Sequence, residues 1–336
     1  MEKANFKNFK KTFNESTRKA AVSAYKKIQE IHKDLDKENA DFKALGRLLD
    51  GAAVEAMQDV FESQSEFYVE IRGSEGRKDT RRDGIASPDL YGSYGNKAGV
   101  QVEIVNDAVE GTSFASRNIP GATSVLAAAL DQKNGLSQTG NFDYMSKLFG
   151  PPTLKGKISL ELSPSENFRI ALEELDIQNP ADLAVVILDR PRNQFEIDSA
   201  KEAGLTTILI PGGDLIPGLL AVLDPGVLQT IKGGKIRGNV KAVLLMGSGG
   251  WEEGVITAAA AKATGGHAQG RIYSEDKEVI EQAKVLEVEE LVPAEPDSLL
   301  ISATPITDDH WFGVLGVSQD SNVKTISITH QGLEII

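Results

Sequence analysis

The sequence contains no cysteine. Disulfides, thiolate zinc sites and cysteine nucleophiles are therefore excluded. Histidine is scarce: His32, His267, His310 and His330 are the only four, and no pair has the H-x-x-H or H-E-x-x-H spacing. A histidine-built zinc centre has no basis here. Basic residues are in deficit, with 36 Lys and Arg against 49 Asp and Glu and a net charge of −13. Such a surface repels nucleic-acid phosphates, so no nucleic-acid partner is expected. It does not exclude a small anionic substrate, because a local arginine pair or a metal reverses the field inside one cleft. No apolar run has the length of a membrane span, so no membrane partner is expected either. The N-terminus is polar and charged, unlike a signal peptide. The chain reads as cytoplasmic, or stromal in an organelle if a transit peptide has been removed.

What is present is an ordinary globular composition: 336 residues, 40% apolar and 25% charged. That length suits two domains or one large one. Residues 1–45 are rich in Lys and Glu, and Phe6, Phe9, Phe13, Ala20, Ala21, Tyr25, Ile28 and Ile31 recur at loosely helical spacing. Asp50 precedes small residues and reads as the N-cap of a helix beginning there. Phe67–Ile71 reads as a short strand, followed by a turn in which Gly73 and Gly76 bracket Glu75, and then by a basic tract over 77–83. Gly121 to Leu130 suits a buried strand or a close-packed helix. Breakers at Gly150-Pro151-Pro152 and Ser163-Pro164-Ser165 precede a change of pattern. From about 166 helices and strands alternate: helix 166–175, strand Leu183–Leu188, helix from about 193, strand Thr206–Ile210, helix Leu215–Val222, strand Val243–Met246 and an Ala-rich helix Gly254–Thr264. That alternation predicts α/β architecture with a parallel, doubly wound unit. The change of pattern also places a domain boundary near 165, between lobes over 1–165 and 166–336.

The stretch that carries the chemistry is Asp107-Ala108-Val109-Glu110-Gly111-Thr112, placed just past a strand at Val100–Val105. Two carboxylates three apart repel unless something positive lies between them, and a hard divalent cation is the usual solution. Gly111 allows close backbone approach, and the Thr112 hydroxyl can hold a water. An acidic turn capping the next segment is the alternative reading of the same residues. The predicted strand ends of the second half also carry polar clusters. Arg190 and Arg192 flank Pro191, either as a phosphate clamp or as surface ion-pair partners. Asp214 closes a Pro-Gly-Gly-Asp turn, and Gly247–Gly254 forms a glycine-rich strand-to-helix turn of the kind that cradles phosphates. Glu252 and Glu253 there also suit a helix first turn with no ligand. Tyr144 and Lys147 suit either sugar-phosphate contact or plain surface. Carboxylates with arginines suggest metal-assisted hydrolysis of a phosphate ester.

At this point the chain resembles the class II fructose-1,6-bisphosphatases, including the cyanobacterial type that also hydrolyses sedoheptulose-1,7-bisphosphate. The resemblance runs from about Phe13 to Gly316. It is carried by Asp107–Thr112, Asp50–Met57, Asp143–Leu148, Leu188–Arg192, Ile210–Asp214, Gly249–Ile256, Gly265–Gly270 and Ser302–Thr307. It implies the layered α-β-α-β-α fold of the lithium-sensitive sugar and inositol phosphatases. It implies Mg²⁺ or Mn²⁺ held by Asp50, Glu75, Asp107, Glu110 and Glu253, with Thr112 positioning the attacking water. Gly111, Tyr144, Arg190, Arg192, Asp214 and Gly250 match positions that hold the sugar bisphosphate, the small-molecule partner implied, and a homodimer or homotetramer is implied as well. The chain departs from the family where K-N-T-A-D is replaced by Gly46-Arg47-Leu48-Leu49-Asp50, and where acids are missing around Glu75. A catalytically weak or inactive paralogue that binds sugar phosphates or a protein partner is the alternative.

Overall fold

The computed structural model describes residues 3–74, 90, 92–137, 143–231, 234, 236, 238–273 and 283–336. Two long helices open the chain, α1 (Lys3–His32) and α2 (Phe42–Glu62), and they pack against each other. Strand β1 (Phe67–Ser74), strand β2 (Ser93–Gly95), strand β3 (Val100–Glu110), the short helix α3 (Thr112–Ser116) and strand β4 (Thr123–Leu130) follow. Next come β5 (Tyr144–Gly150), α4 (Pro164–Glu174), β6 (Leu183–Leu188), α5 (Gln194–Glu202), β7 (Thr206–Ile210), α6 (Leu215–Ala221) and α7 (Pro225–Leu228). The chain ends with β8 (Ala242–Gly250), α8 (Trp251–Thr264), β9 (His267–Ile272), β10 (Leu286–Glu287), α9 (Val288–Leu291), β11 (Leu299–Pro305), β12 (Ile326–Thr329) and β13 (Gly332–Ile335).

The strands form two sheets, one in the order β13-β12-β11-β4-β3-β1-β2 and the other β10-β9-β5-β8-β6-β7. The expected parallel unit is present as β7-β6-β8. The second sheet as a whole is mixed, because β5 inserts antiparallel between β8 and β9. An earlier strand that inserts between two later ones leaves no trace in the order of elements. Position 165 falls in the first turn of α4. The first sheet draws β11 to β13 from the far end of the chain, and the second draws β5 from before that position.

Helix α8 explains how the sheets are joined. It packs on β3, β4, β11 and β12 of one sheet and on β5, β8 and β9 of the other. Its residues are buried almost all round, as a helix enclosed on both sides must be. Alanines keep it thin enough to fit. The opposite face of the first sheet is covered by α1 and α2, through an aromatic cluster in which Phe13 meets Phe9, Phe61 and Phe67 at ring-centroid distances of 5.2, 5.8 and 5.7 Å. The outer face of the second sheet is covered by Phe168 and Ala171 of α4 and Ile197 and Ala200 of α5. No helix among the described residues is long and apolar enough to cross a membrane.

Two local expectations are corrected. Asp50 is not an N-cap: α2 begins at Phe42 and is capped by Asp41, nine residues before Asp50, and Asp41 Oδ1 accepts from the backbone N–H groups of Lys43 and Ala44 at 3.1 and 3.0 Å. Buried Gly46, Leu49, Ala53, Met57 and Val60 form one helical stripe that runs straight through Asp50, and packing of that stripe overrides the local Asp-Gly turn signal. The Asp107–Glu110 pair is also not beyond a strand end, since β3 continues to Glu110.

His267 on β9 is buried, and desolvation, with the nearby Lys155 charge, pushes its imidazole down from 6.5 to about 4. The unfolded chain therefore takes up this proton before the folded one does, and stability is lost as pH falls from 6.5 towards about 4. His267→Gln should flatten that decline by about 3 kcal/mol across the window. Denaturant unfolding of both proteins at a series of pH values checks it; equal slopes would refute it.

Candidate active site

The site begins with a bulge. On β3 the step from Asp107 to Glu110 spans three residues, while their partners on β4, Val125 and Thr123, are two apart. One extra residue on β3 breaks the period-two alternation. Both carboxylates therefore lie on the face that carries Val105, Val125 and Ala127, turned towards α8 and the second sheet. Val109 N–H donates to Asp107 Oδ1 at 3.0 Å and so pins the irregularity. Both acids are buried, at 4% exposure each. Gly111 then turns the chain with φ 78°, and a Cβ there would stand 2.8 Å from the Gly121 carbonyl oxygen, so only glycine fits. Thr112 starts α3. Its hydroxyl donates to the Val109 carbonyl at 2.9 Å and lies 3.4 Å from Asp50 Oδ1, which brings α2 into the site.

The second sheet supplies the other wall. The turn between β7 and α6 places Gly213 against Phe114 and Glu110, with 3.8 Å between a Cβ built on Gly213 and Glu110 Oε1. The next residue, Asp214, is buried and accepts from Lys147 Nζ at 2.8 Å. Gly249 lies directly against that ion pair, leaving no space for a side chain. Gly250 ends β8 and caps α8, and the Glu253 carboxylate folds back over it. The strand-to-helix turn thus has no intervening loop, and the first-turn N–H groups of α8 open beside Glu253.

At the rim, the Arg192 guanidinium stacks over Tyr144 at 4.8 Å and reaches Tyr273 at 5.8 Å. Its Nε donates to the Ser248 carbonyl at 3.2 Å. Asn193 locks the same place, donating to the Leu188 carbonyl at 3.0 Å and accepting from Ser248 N–H at 2.7 Å. Arg190 is exposed, donating to the Asp189 carbonyl in its own turn and to the Pro211 carbonyl in the turn after β7.

The structure thus gathers Asp50, Asp107, Glu110, Gly111 and Thr112 at the end of β3, and Tyr144, Arg192, Asp214, Gly250 and Glu253 on the facing sheet. Arg190 stands apart from Arg192's aromatic seat. Glu75 and the basic tract 77–83 lie outside the described residues. Lys147, which its sequence context suits to sugar-phosphate contact or to plain surface, is instead 1% exposed. Its signal was periodic: on β5 it alternates in phase with buried Met145 and Phe149. A lysine at a core position of a strand implies a buried anionic partner.

The donors offered here are carboxylate and hydroxyl oxygens, without histidine or cysteine. In kind they fit a hard divalent cation such as Mg²⁺ or Mn²⁺. Among the described residues, no three His, Asp or Glu side chains stand within reach of one ion.

Comparison with known proteins decides the family. The model of the family described as bacterial fructose-1,6-bisphosphatase, glpX-encoded, matches residues 12–334. The chain belongs to that family. A relative from Synechococcus elongatus, named D-fructose 1,6-bisphosphatase class 2/sedoheptulose 1,7-bisphosphatase, is 35% identical over 249 residues, covering 72% of this chain and 66% of its own length, just under two thirds. A protein of the same name from Crocosphaera subtropica is 33% identical over 300 residues, covering 84% of this chain and 81% of itself. In this member of the bisphosphatase family the Asp107–Glu110 bulge, the Thr112 turn and the Arg192–Tyr144 stack lie within the matched residues.

The Lys147–Asp214 pair is desolvated on both sides, so removing one partner leaves a buried charge. Lys147→Met should destabilise the protein by about 3–5 kcal/mol in denaturant unfolding. The double variant Lys147→Met/Asp214→Leu should recover most of that loss. A double variant no more stable than the single one would show that the pair does not act as a unit.

Proposed function

We propose that this chain is a metal-dependent sugar bisphosphatase. Its substrate is fructose-1,6-bisphosphate, with sedoheptulose-1,7-bisphosphate as a second, and water attacks the 1-phosphate in line. The observation that carries the reading is the bulge that turns two buried carboxylates, Asp107 and Glu110, to one face beside a Thr112 hydroxyl oriented by Asp50 and Val109. The names of the cyanobacterial relatives support the substrates. We assign the arrangement of helices on and between two sheets to the layered α-β-α-β-α fold of the lithium-sensitive phosphatases. The same reading expects a homodimer or homotetramer.

Asp50, Asp107, Glu110 and Glu253, with Glu75, would hold Mg²⁺ or Mn²⁺. A bound cation there would draw charge from the phosphoryl oxygens and acidify a water. Thr112 acts through its lone pairs: with its proton committed to Val109 or Asp50, its oxygen accepts from the attacking water and aims it. Arg192, held flat against Tyr144, presents its remaining N–H groups to the distal phosphate. Arg190 would join it by leaving the Asp189 and Pro211 carbonyls. The N–H groups at the start of α8 and the close turns at Gly111 and Gly250 let the backbone approach the ligand. Lys147 cancels the charge of Asp214, so that this carboxylate can accept sugar hydroxyls without repelling the phosphates.

The alternative is a paralogue that binds sugar phosphates without turnover. It draws on Gly46-Arg47-Leu48 standing where the family pattern has K-N-T, and on the lack of a converged acid triad among the described residues. Phosphate release from a panel of sugar mono- and bisphosphates, in Mg²⁺ and then Mn²⁺, separates the two. The enzyme reading expects metal-dependent turnover of a bisphosphate, and Asp107→Asn should lower it about a hundredfold or more with the fold intact. Silence across the panel from folded protein would leave the binding reading standing, and full activity in Asp107→Asn would remove that carboxylate from the mechanism.

A further inference from the structure

Gly46 and Asp50 are one helical turn apart on α2 and share a face. Both meet Thr112. Asp50 Oδ1 lies 3.4 Å from its hydroxyl oxygen, and a Cβ built on Gly46 would stand 2.6 Å from its methyl carbon, Cγ2. Gly46 is buried, and among the described residues outside its own helix the one other atom within 4 Å of that Cβ position is Thr112 Cβ, at 3.9 Å. The crowding therefore falls on one methyl group. Glycine inside a helix costs about 1 kcal/mol relative to alanine. The φ of Gly46 is not among the positive ones, so the backbone at this position does not require glycine. What requires it is the approach of Thr112.

We propose that Gly46 is a positioning residue for the reaction: its missing side chain is the socket for the Thr112 methyl, and the filled socket fixes the rotamer that aims the Thr112 hydroxyl. The inference rests on the reading of Thr112 as the residue that orients the attacking water. Threonine is β-branched, so its χ1 has few wells and they lie about 120° apart. Relief of a 2.6 Å contact means a turn about χ1, either strained off its well or over to another. That move would carry the hydroxyl away from the Val109 carbonyl and Asp50 together. The clamp has three points, a carbonyl and a carboxylate on the hydroxyl and a hollow for the methyl. Of the three, only the hollow distinguishes threonine from serine.

That distinction supplies the test. Gly46→Ala should lower kcat about tenfold or more with KM nearly unchanged, because it misaims the water without touching the sugar-phosphate contacts. It should also lower the unfolding midpoint, against the helix-propensity trend. Thr112→Ser removes Cγ2 and keeps the hydroxyl. Introduced into Thr112→Ser, the same Gly46→Ala change should cost little further kcat and should raise the midpoint, since the clash is gone and only the propensity gain remains. Gly46→Ala effects that are the same in both backgrounds would overturn the proposal, as would an unchanged kcat in Gly46→Ala. A fall in midpoint cancelled by Thr112→Ser with kcat unaffected would leave a packing contact and remove the positioning role. If the wild-type chain turns over no bisphosphate at all, the functional reading fails by that result. The midpoints would then still decide whether Gly46 and Thr112 are coupled.

Discussion

Two carboxylates three residues apart on a regular strand point to opposite faces, and only a bulge can bring them to the same one. The extra residue between Asp107 and Glu110 is therefore the constraint on which the site depends. It has to be stabilised on both sides, because an unpaired step in a buried strand leaves backbone groups without ladder partners. Val109 N–H is taken by Asp107 itself, and the Val109 carbonyl is taken by Thr112. The bulge and the chemistry thus use the same hydrogen bonds. The turn at Gly111 that delivers Thr112 also ends the strand.

The facing wall is held by a different device. Lys147 and Asp214 come from strands and turns far apart in sequence, and their contact ties β5 to the turn after β7 across β8 and β6. Gly249 gives that contact room beneath the ion pair, and Gly213 brings the same turn against Glu110. Helix α8 sets the separation between the two walls. A bulkier helix would push the β3 acids away from the second sheet, so its alanines act on the geometry of the site as much as on the core.

Much of this was legible in residue patterns, and the exceptions have physical causes. Leu183–Leu188 and Thr206–Ile210 are apolar runs bounded by breakers, and the strands there have those same limits. Val100–Val105 shows alternation, but the strand runs on to Glu110, because a bulge destroys the period that sequence reading relies on while the pairing continues. Asp50 has the look of a cap because Asp and Gly favour turns, yet the buried stripe from Gly46 to Val60 carries the helix through it. Asp107, Glu110 and Thr112 were legible as a motif. The burial of Lys147 was readable only once the phase of β5 was known. The hollow at Gly46 was not readable, since what a glycine makes room for is a matter of tertiary contact. The insertion of β5 between β8 and β9 belongs to the same class of fact.

The first sheet pairs β4 with β11, so the strand beside the Asp107–Glu110 bulge takes its neighbour from about 170 residues further along the chain. During synthesis β4 leaves the ribosome long before β11 exists. Until then its far edge is bare, with Ala127 and Ala129 uncovered beside open backbone groups. Contacts so distant in sequence form slowly, and an open apolar edge invites pairing with the wrong chain in the interval. The topology that joins residues 67–130 and 299–335 into one sheet therefore delays completion of the sheet that carries Asp107 and Glu110 until β11 has been made.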